Sequence, residues 1–254
     1  MGFVVDIISL VDSTDRHAAA LAQLSQFPVA TEVHKFTRYP SLKYPCYDQK
    51  TRLERFGYDL LAGEIGCFDS HRKIWALAAN RDVNTLILED DFRLTGSDFF
   101  SLLASEDSKE ASIIRLQGTF EKKYSVLESK SGFQVVCFEG RPAGTVAYFI
   151  TPLAAKILLQ ASSKFYVSVD DFIDQEWRHG IIVKGLLPYP IFTTDDDSTI
   201  GKRKKPKFDI CKKLQIEFFK GVESLKNRSF KRKKRKTIAQ YKSTSPAGRV
   251  LNRR

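Results

Sequence analysis

Three consecutive carboxylates close an apolar run: Thr85-Leu86-Ile87-Leu88 passes directly into Glu89-Asp90-Asp91. A short, fully apolar run of this kind reads as a strand covered on both faces. In open α/β sheets, ligands bind beyond the carboxyl ends of such strands, which is where the triplet falls. Neighbouring strand residues point to opposite faces, so alternation puts Glu89 and Asp91 on one side. Two carboxylates so placed suit a hard divalent cation, Mn²⁺ or Mg²⁺. Such a cation bridges nucleotide phosphates and neutralises charge on a leaving group. The competing reading is a solvated acidic turn.

The rest of the chain alternates in the same manner. Phe3-Val4-Val5-Asp6-Ile7-Ile8-Ser9-Leu10 reads as a buried first strand, followed by the loop Asp12-Ser13-Thr14-Asp15-Arg16. Helices are expected over 17–26, over 65–79 with Phe68, Ile74, Trp75 and Ala78 on one side, and over 152–161 behind Pro152. Further strands are expected at 112–116, 133–138, 145–150, 181–183 and 190–192, while 28–60 reads as irregular. The pattern predicts an α/β fold, a mostly parallel sheet flanked by helices.

The net charge of +11 is unevenly placed. From Lys202 onward there are 20 Lys and Arg against 3 acidic residues, whereas the preceding part holds 21 basic against 27 acidic. A catalytic unit over 1–201 and a basic tail over 202–254 are therefore expected. No apolar stretch reaches the roughly 18 residues of a membrane span, and no secretory signal opens the chain. Both point to the cytoplasmic side. Cys46, Cys67, Cys137 and Cys211 are widely spaced and read as thiols.

Gly63-Glu64-Ile65-Gly66-Cys67-Phe68-Asp69-Ser70-His71, then Trp75, then Leu86-Ile87-Leu88-Glu89-Asp90-Asp91 resembles the signature of glycosyltransferase family 25. That family contains bacterial lipooligosaccharide galactosyltransferases and collagen galactosyltransferases. Ile7-Ile8-Ser9-Leu10 with Arg16, Gly144 with Ala147-Tyr148, Val169-Asp170, Pro190 and Ser198-Thr199-Ile200 extend the resemblance over roughly residues 3 to 200. Phe68-Asp69 is a departure, since small apolar residues are expected there. The resemblance implies a GT-A-type nucleotide-diphospho-sugar domain and a UDP-hexose donor. Galactose is the first expectation among hexoses, and a lipooligosaccharide or lipopolysaccharide sugar is the acceptor. It further implies Asp91 as direct metal ligand for Mn²⁺ or Mg²⁺, Glu89 as metal or ribose partner, and Asp90 as support of the loop.

Other residues follow from type and place. The Arg16 guanidinium suits a diphosphate. Glu64 and His71, two helical turns apart, share a face that can line an acceptor pocket, against an ordinary packed histidine. Asp170 matches the family's aspartate and is expected to take the acceptor proton in a single inverting displacement, giving a β-linkage; the competing role is a cap of a helix over 172–179. Asp195-Asp196-Asp197 reads as a solvated loop, against an approach to the metal or the acceptor.

In the tail, Cys211, Leu214, Phe218, Val222 and Leu225 recur at helical spacing among lysines, ahead of Lys231-Arg232-Lys233-Lys234-Arg235-Lys236. A basic amphipathic helix of this kind suits an anionic membrane surface, here the inner face of a bacterial inner membrane. A solvated extension is the alternative. Nucleic-acid binding is not expected, because no zinc finger or RNP-like motif accompanies the charge. The competing function class is a non-catalytic basic-tail adaptor or nucleic-acid-binding protein, for which the triplet is only a surface turn.

Overall fold

The computed structural model of the chain describes residues 2–37, 43–193 and 206–244. Among them are strands β1 (Phe3–Leu10), β2 (Thr31–Phe36), β3 (Asn84–Glu89), β4 (Phe92–Leu94), β5 (Ile113–Arg115), β6 (Tyr124–Lys130), β7 (Phe133–Phe138), β8 (Ala147–Ile150), β9 (Val183–Leu187) and β10 (Ile191–Thr193). Eight form one sheet in the order β2-β1-β3-β8-β5-β9-β7-β6, and β4 pairs with β10. The α/β class holds, with a correction to the expected mostly parallel sheet: it is mixed. Six strands share one direction, and β7 and β8 oppose them. Parallel neighbours need a crossover of a dozen or more residues, whereas β6 and β7 are joined through Ser131-Gly132, both at positive φ.

Helices cover both faces. α1 (Thr14–Leu24) and α4 (Phe99–Ala104) lie over a core containing Val5, Ile7, Leu86, Leu88 and Phe149. α3 (Ala62–Ala78), α5 (Pro152–Ala161) and α6 (Val169–Asp174) lie over the other, with Trp75, Ile87, Ile113, Tyr148 and Phe172. Leu86 and Leu88 enter one core and Ile87 the other, the two-sided burial that its apolar run demands. Each large side chain so buried stabilises the fold by about 1.5–3 kcal/mol.

Local chemistry explains the other differences. The 28–60 stretch holds β2 and α2 (Gln49–Phe56); Asp48 caps α2 by accepting from Thr51 N at 3.0 Å, and Gly57 at φ 77 ends it. α3 begins earlier than expected because the Glu64 carboxylate accepts from Leu61 N at 2.7 Å. Phe68 stacks on Phe165 at 3.8 Å between ring centroids, and Asp69 accepts from Tyr44 at 2.7 Å. The unusual Phe-Asp pair therefore packs the Tyr44 and Phe165 segments onto α3. The helix expected over 172–179 is two short ones, α6 and α7 (Glu176–His179), broken at Gln175 with ψ 59. No disulfide joins the four cysteines. Asp195-Asp196-Asp197 and Ser198-Thr199-Ile200 lie outside the described residues.

Beyond residue 206 the chain forms α8 (Ile210–Thr244), which lies against α2, α7 and β6. Glu223 accepts from Arg55, from Tyr166 Oη at 3.0 Å and from Trp177 Nε1 at 2.9 Å. Lys234, a member of the polybasic run, is buried and pairs with Glu176 at 2.7 Å. Ile210, Leu214, Phe218 and Leu225 are exposed on α8. No described helix is long and apolar enough to cross a membrane.

Candidate active site

β3 ends at Glu89; Asp90 and Asp91 make the turn into β4. The alternation used to put Glu89 and Asp91 on one side therefore stops at Glu89, a correction to the strand argument. Buried Asp90 turns back to the end of β1, accepting from Ser9 Oγ and meeting Arg16 Nη1 at 3.4 Å. These contacts lock the β1 and β3 ends together.

Glu89 accepts from Thr145 Oγ1 at 2.7 Å and faces His71 Nε2 at 3.4 Å. The other His71 nitrogen, Nδ1, lies 2.8 Å from Tyr148 Oη, which accepts from Trp75 Nε1 at 2.8 Å. One phenol proton serves this network. Trp75 can only donate, so the Tyr148 oxygen accepts from it; giving the phenol proton to His71 Nδ1 puts the imidazole proton on Nε2, facing Glu89. Burial pushes the Glu89 carboxyl up, but His71 and Thr145 outweigh it and hold the group below its ordinary range. His71 has no exposed side-chain surface. It meets the site through Glu89.

Asp91 is pushed up to about 6, by burial first and then by Glu89 and Asp90. Asp170 is also raised, by burial and then by Glu89, against opposing effects of Thr145, Arg115 and His71. Each has a buried Oδ1 with no hydrogen-bond partner among the described residues. The capping role weighed against Asp170 belongs to Ser168, whose side chain accepts from Asp171 N. Buried carboxylate oxygens without partners carry a desolvation penalty that a ligand can offset. An all-oxygen set of this kind fits a hard divalent cation.

Cys67, His71 and Glu89 place one ligand atom each within 4.8 Å of one another. Burial and then Glu89, Asp170, Glu64 and Asp91 drive the Cys67 thiol well above its ordinary range, and the assigned tautomer leaves His71 no free lone pair on the Glu89 side. Cys67 and His71 thus lie against Glu89. The other such group among the described residues, Asp6, Glu32 and His34, already holds the Arg81 guanidinium, 3.1 Å from Asp6 Oδ1.

A buried pair sets Thr145 in place. Arg115 Nη2 lies 2.7 Å from Asp174 Oδ1; Asp174 Oδ2 accepts from Ala143 N at 2.9 Å, and Arg115 donates to Gly144 O. Ala143 and Gly144 both take positive φ, 56° and 85°, and a Cβ on Gly144 would stand 2.3 Å from Gln117 Oε1. The tight turn delivers the Thr145 hydroxyl to Glu89.

The structure thus gathers His71, Glu89, Asp91 and Asp170. It places Arg16 on Asp90 and Glu64 at the start of α3. Sequence reasoning did not single out Thr145, Tyr148, Trp75, Cys67, Arg115 or Asp174 as site residues. Cys67, Trp75 and Tyr148 stood within the quoted motifs; Arg115, Thr145 and Asp174 carried no local signal.

A family model described as "Glycosyltransferase family 25 (LPS biosynthesis protein)" matches residues 4–173, a span that holds Cys67, His71, Glu89, Asp91, Thr145 and Asp170. No curated protein matches the chain.

Proposed function

The chain belongs to glycosyltransferase family 25, and from that premise we propose that it moves a hexose, galactose first among them, from a UDP-sugar to a lipooligosaccharide or lipopolysaccharide sugar. We read the sheet with its acidic β3 end as a GT-A-type nucleotide-sugar domain. The observation that carries the reading is the pair of buried carboxylate oxygens on Asp91 and Asp170 beside Glu89, without partners among the described residues. Asp91 and Glu89 would hold Mn²⁺ or Mg²⁺. Bound there, the cation neutralises charge on the departing diphosphate.

Arg16, at the neighbouring strand end, adds positive charge toward the diphosphate, and Asp90 fixes its place. Asp170 takes the proton from the acceptor hydroxyl. A raised carboxyl is the stronger base for that step. As the acceptor oxygen bonds to the anomeric carbon, the bond to the UDP oxygen breaks and the electron pair leaves with the diphosphate. A single displacement inverts the centre and gives a β-linkage from an α-linked donor. Glu64, in the first turn of α3, is the residue of that helix proposed to border the acceptor.

The exposed Ile210, Leu214, Phe218 and Leu225 on α8 support docking on an anionic membrane surface at the inner face of the inner membrane. The family match leaves the adaptor and nucleic-acid alternatives without a supporting observation.

The test is turnover of a UDP-sugar panel on truncated lipooligosaccharide, with and without Mn²⁺, followed by NMR of the product. UDP-galactose turnover that needs the cation and yields a β-linkage is expected. An α-linkage would overturn the single displacement.

A further inference from the structure

β3, β5 and β9 point the same way, so their carboxyl ends share one edge of the sheet. Beside the carboxylates at that edge, two further buried polar atoms have no hydrogen-bond partner among the described residues: Gln117 Oε1 and Tyr189 Oη. β5 runs out through Leu116 into Gln117-Gly118, and Gln117 is only 6% exposed. Its amide oxygen lies against Gly144, where any Cβ would collide with it; the next residue is the Thr145 that holds Glu89. Tyr189, between β9 and β10, brings its hydroxyl over Gly118, where a Cβ would collide in the same way. Two glycines thus make room for two polar groups that the described residues do not pair. Phe120 N donates to Pro142 O at 2.9 Å, which straps the segment after β5 onto the loop that carries Gly144.

Topology sets how far these groups lie from Glu89. β8 lies between β3 and β5 and runs against both. Glu89 N donates to Val146 O at 2.8 Å, and Leu116 N donates to Ala147 O at 3.1 Å. The β3 and β5 ends therefore flank the start of β8 two strand spacings apart, roughly 10 Å. A buried polar atom left unpaired costs stability, and a ligand that pairs it offsets the cost. Burial pushes Tyr189 up to about 12, so its hydroxyl keeps its proton and can donate. The Gln117 oxygen can only accept. One donor beside one acceptor matches sugar hydroxyls, which do both.

We propose that Gln117 and Tyr189 bind hydroxyls of the donor hexose and set which hexose is accepted. This rests on the transferase reading. A diphosphate held at Asp91 and Glu89 would carry its hexose across the start of β8 toward the β5 end. There Gln117 Oε1 accepts from one ring hydroxyl and Tyr189 Oη donates to another. The wrong epimer leaves one of these buried groups unpaired, which is how a hydrogen-bonding pocket discriminates more sharply than an apolar one.

The test uses the full chain with Mn²⁺. Calorimetry compares UDP, UDP-galactose and UDP-glucose; turnover compares the two sugars on truncated lipooligosaccharide. Tyr189→Phe removes only an oxygen that the described residues leave unpaired, so Tm should hold. Gln117→Met keeps the length of the side chain and removes its polar atoms. In both variants UDP affinity should stay within about twofold, while UDP-galactose binding weakens by about fivefold or more and the ratio of kcat/KM between the two sugars falls by about tenfold or more. Equal losses for UDP and UDP-galactose would show that the two residues only brace the Gly144 turn, and would overturn the proposal. Mn²⁺-dependent UDP binding with an unaltered sugar ratio in both variants would overturn it alone. No Mn²⁺-dependent UDP binding by the unaltered chain would overturn the transferase reading and this assignment with it.

Discussion

His71 Nε2 faces Glu89 Oε1 at 3.4 Å while Tyr148 holds the opposite ring nitrogen at 2.8 Å. The Trp75, Tyr148 and His71 chain therefore runs from the core to the end of β3, and a buried network of this kind fixes the orientation of the carboxylate it meets. Tyr148→Phe would leave the Trp75 N–H and His71 Nδ1 unpaired in the core. A loss of about 1–3 kcal/mol is expected in denaturant unfolding. Unchanged stability would show that the network is not closed as assigned.

Asp91 and Asp90 should separate cleanly. Asp91→Asn is expected to abolish Mn²⁺-dependent UDP binding in calorimetry, and EDTA should do the same to the unaltered protein. Asp90→Asn removes the charge that meets Arg16 and weakens the Ser9 tie, so it should lower Tm and, with Arg16 released, weaken UDP binding without removing its Mn²⁺ dependence. Cation-dependent UDP binding that survives Asp91→Asn would rule out Asp91 as the metal ligand.

Asp170→Asn keeps the shape and removes the base. A fall in kcat of about 10²- to 10⁴-fold is expected, with UDP affinity little changed. A variant that loses UDP affinity but keeps kcat would place Asp170 in donor binding instead.

Asp174 accepts from Arg115 and from Ala143 N within the core. Asp174→Ala leaves a buried guanidinium unpaired and should cost about 3–5 kcal/mol in chemical denaturation. Gly144→Ala, strained at φ 85 and crowded against Gln117, should displace Thr145 and lower activity as well as stability. Wild-type activity in Gly144→Ala would separate that turn from the site.

His179 sets a pH window. Its Nε2 donates to Ile173 O at 3.0 Å and its Nδ1 accepts from Ile181 N at 3.2 Å, an arrangement only the neutral ring can make. Burial lowers its pKa from 6.5 to about 4. The unfolded chain thus takes up a proton that the folded one refuses. This contribution to stability is complete above pH 6.5 and falls as pH drops toward 4, at about 1.4 kcal/mol per pH unit and at most about 3 kcal/mol in total. His179→Gln should flatten the unfolding free energy between pH 6.5 and 5 relative to the unaltered chain; parallel curves would contradict the assignment.

The candidate site was half legible before folding. Glu89, Asp91, His71 and Asp170 stood out because each lies in a motif or at an element end. Thr145, Arg115 and Asp174 did not, since their roles depend on partners 56, 59 and 31 residues away that share no local pattern with them. β2 and α2 were missed for a related reason: they are short, and the Gly57 stop and Asp48 cap sit among aromatics and prolines that read as loop.

The sequence by itself determined the two-sided burial of Leu86-Ile87-Leu88, the charge at its end and the basic character of the last fifty residues, because periodicity and charge are local properties. Only the tertiary structure decided that β8 enters antiparallel between β3 and β5, carrying Thr145 to Glu89, and that Glu223 and Lys234 fasten the basic helix onto the body. Strand order and helix docking depend on which distant surfaces match in shape and charge. That matching is settled by packing across the whole chain, and no window of neighbouring residues contains it.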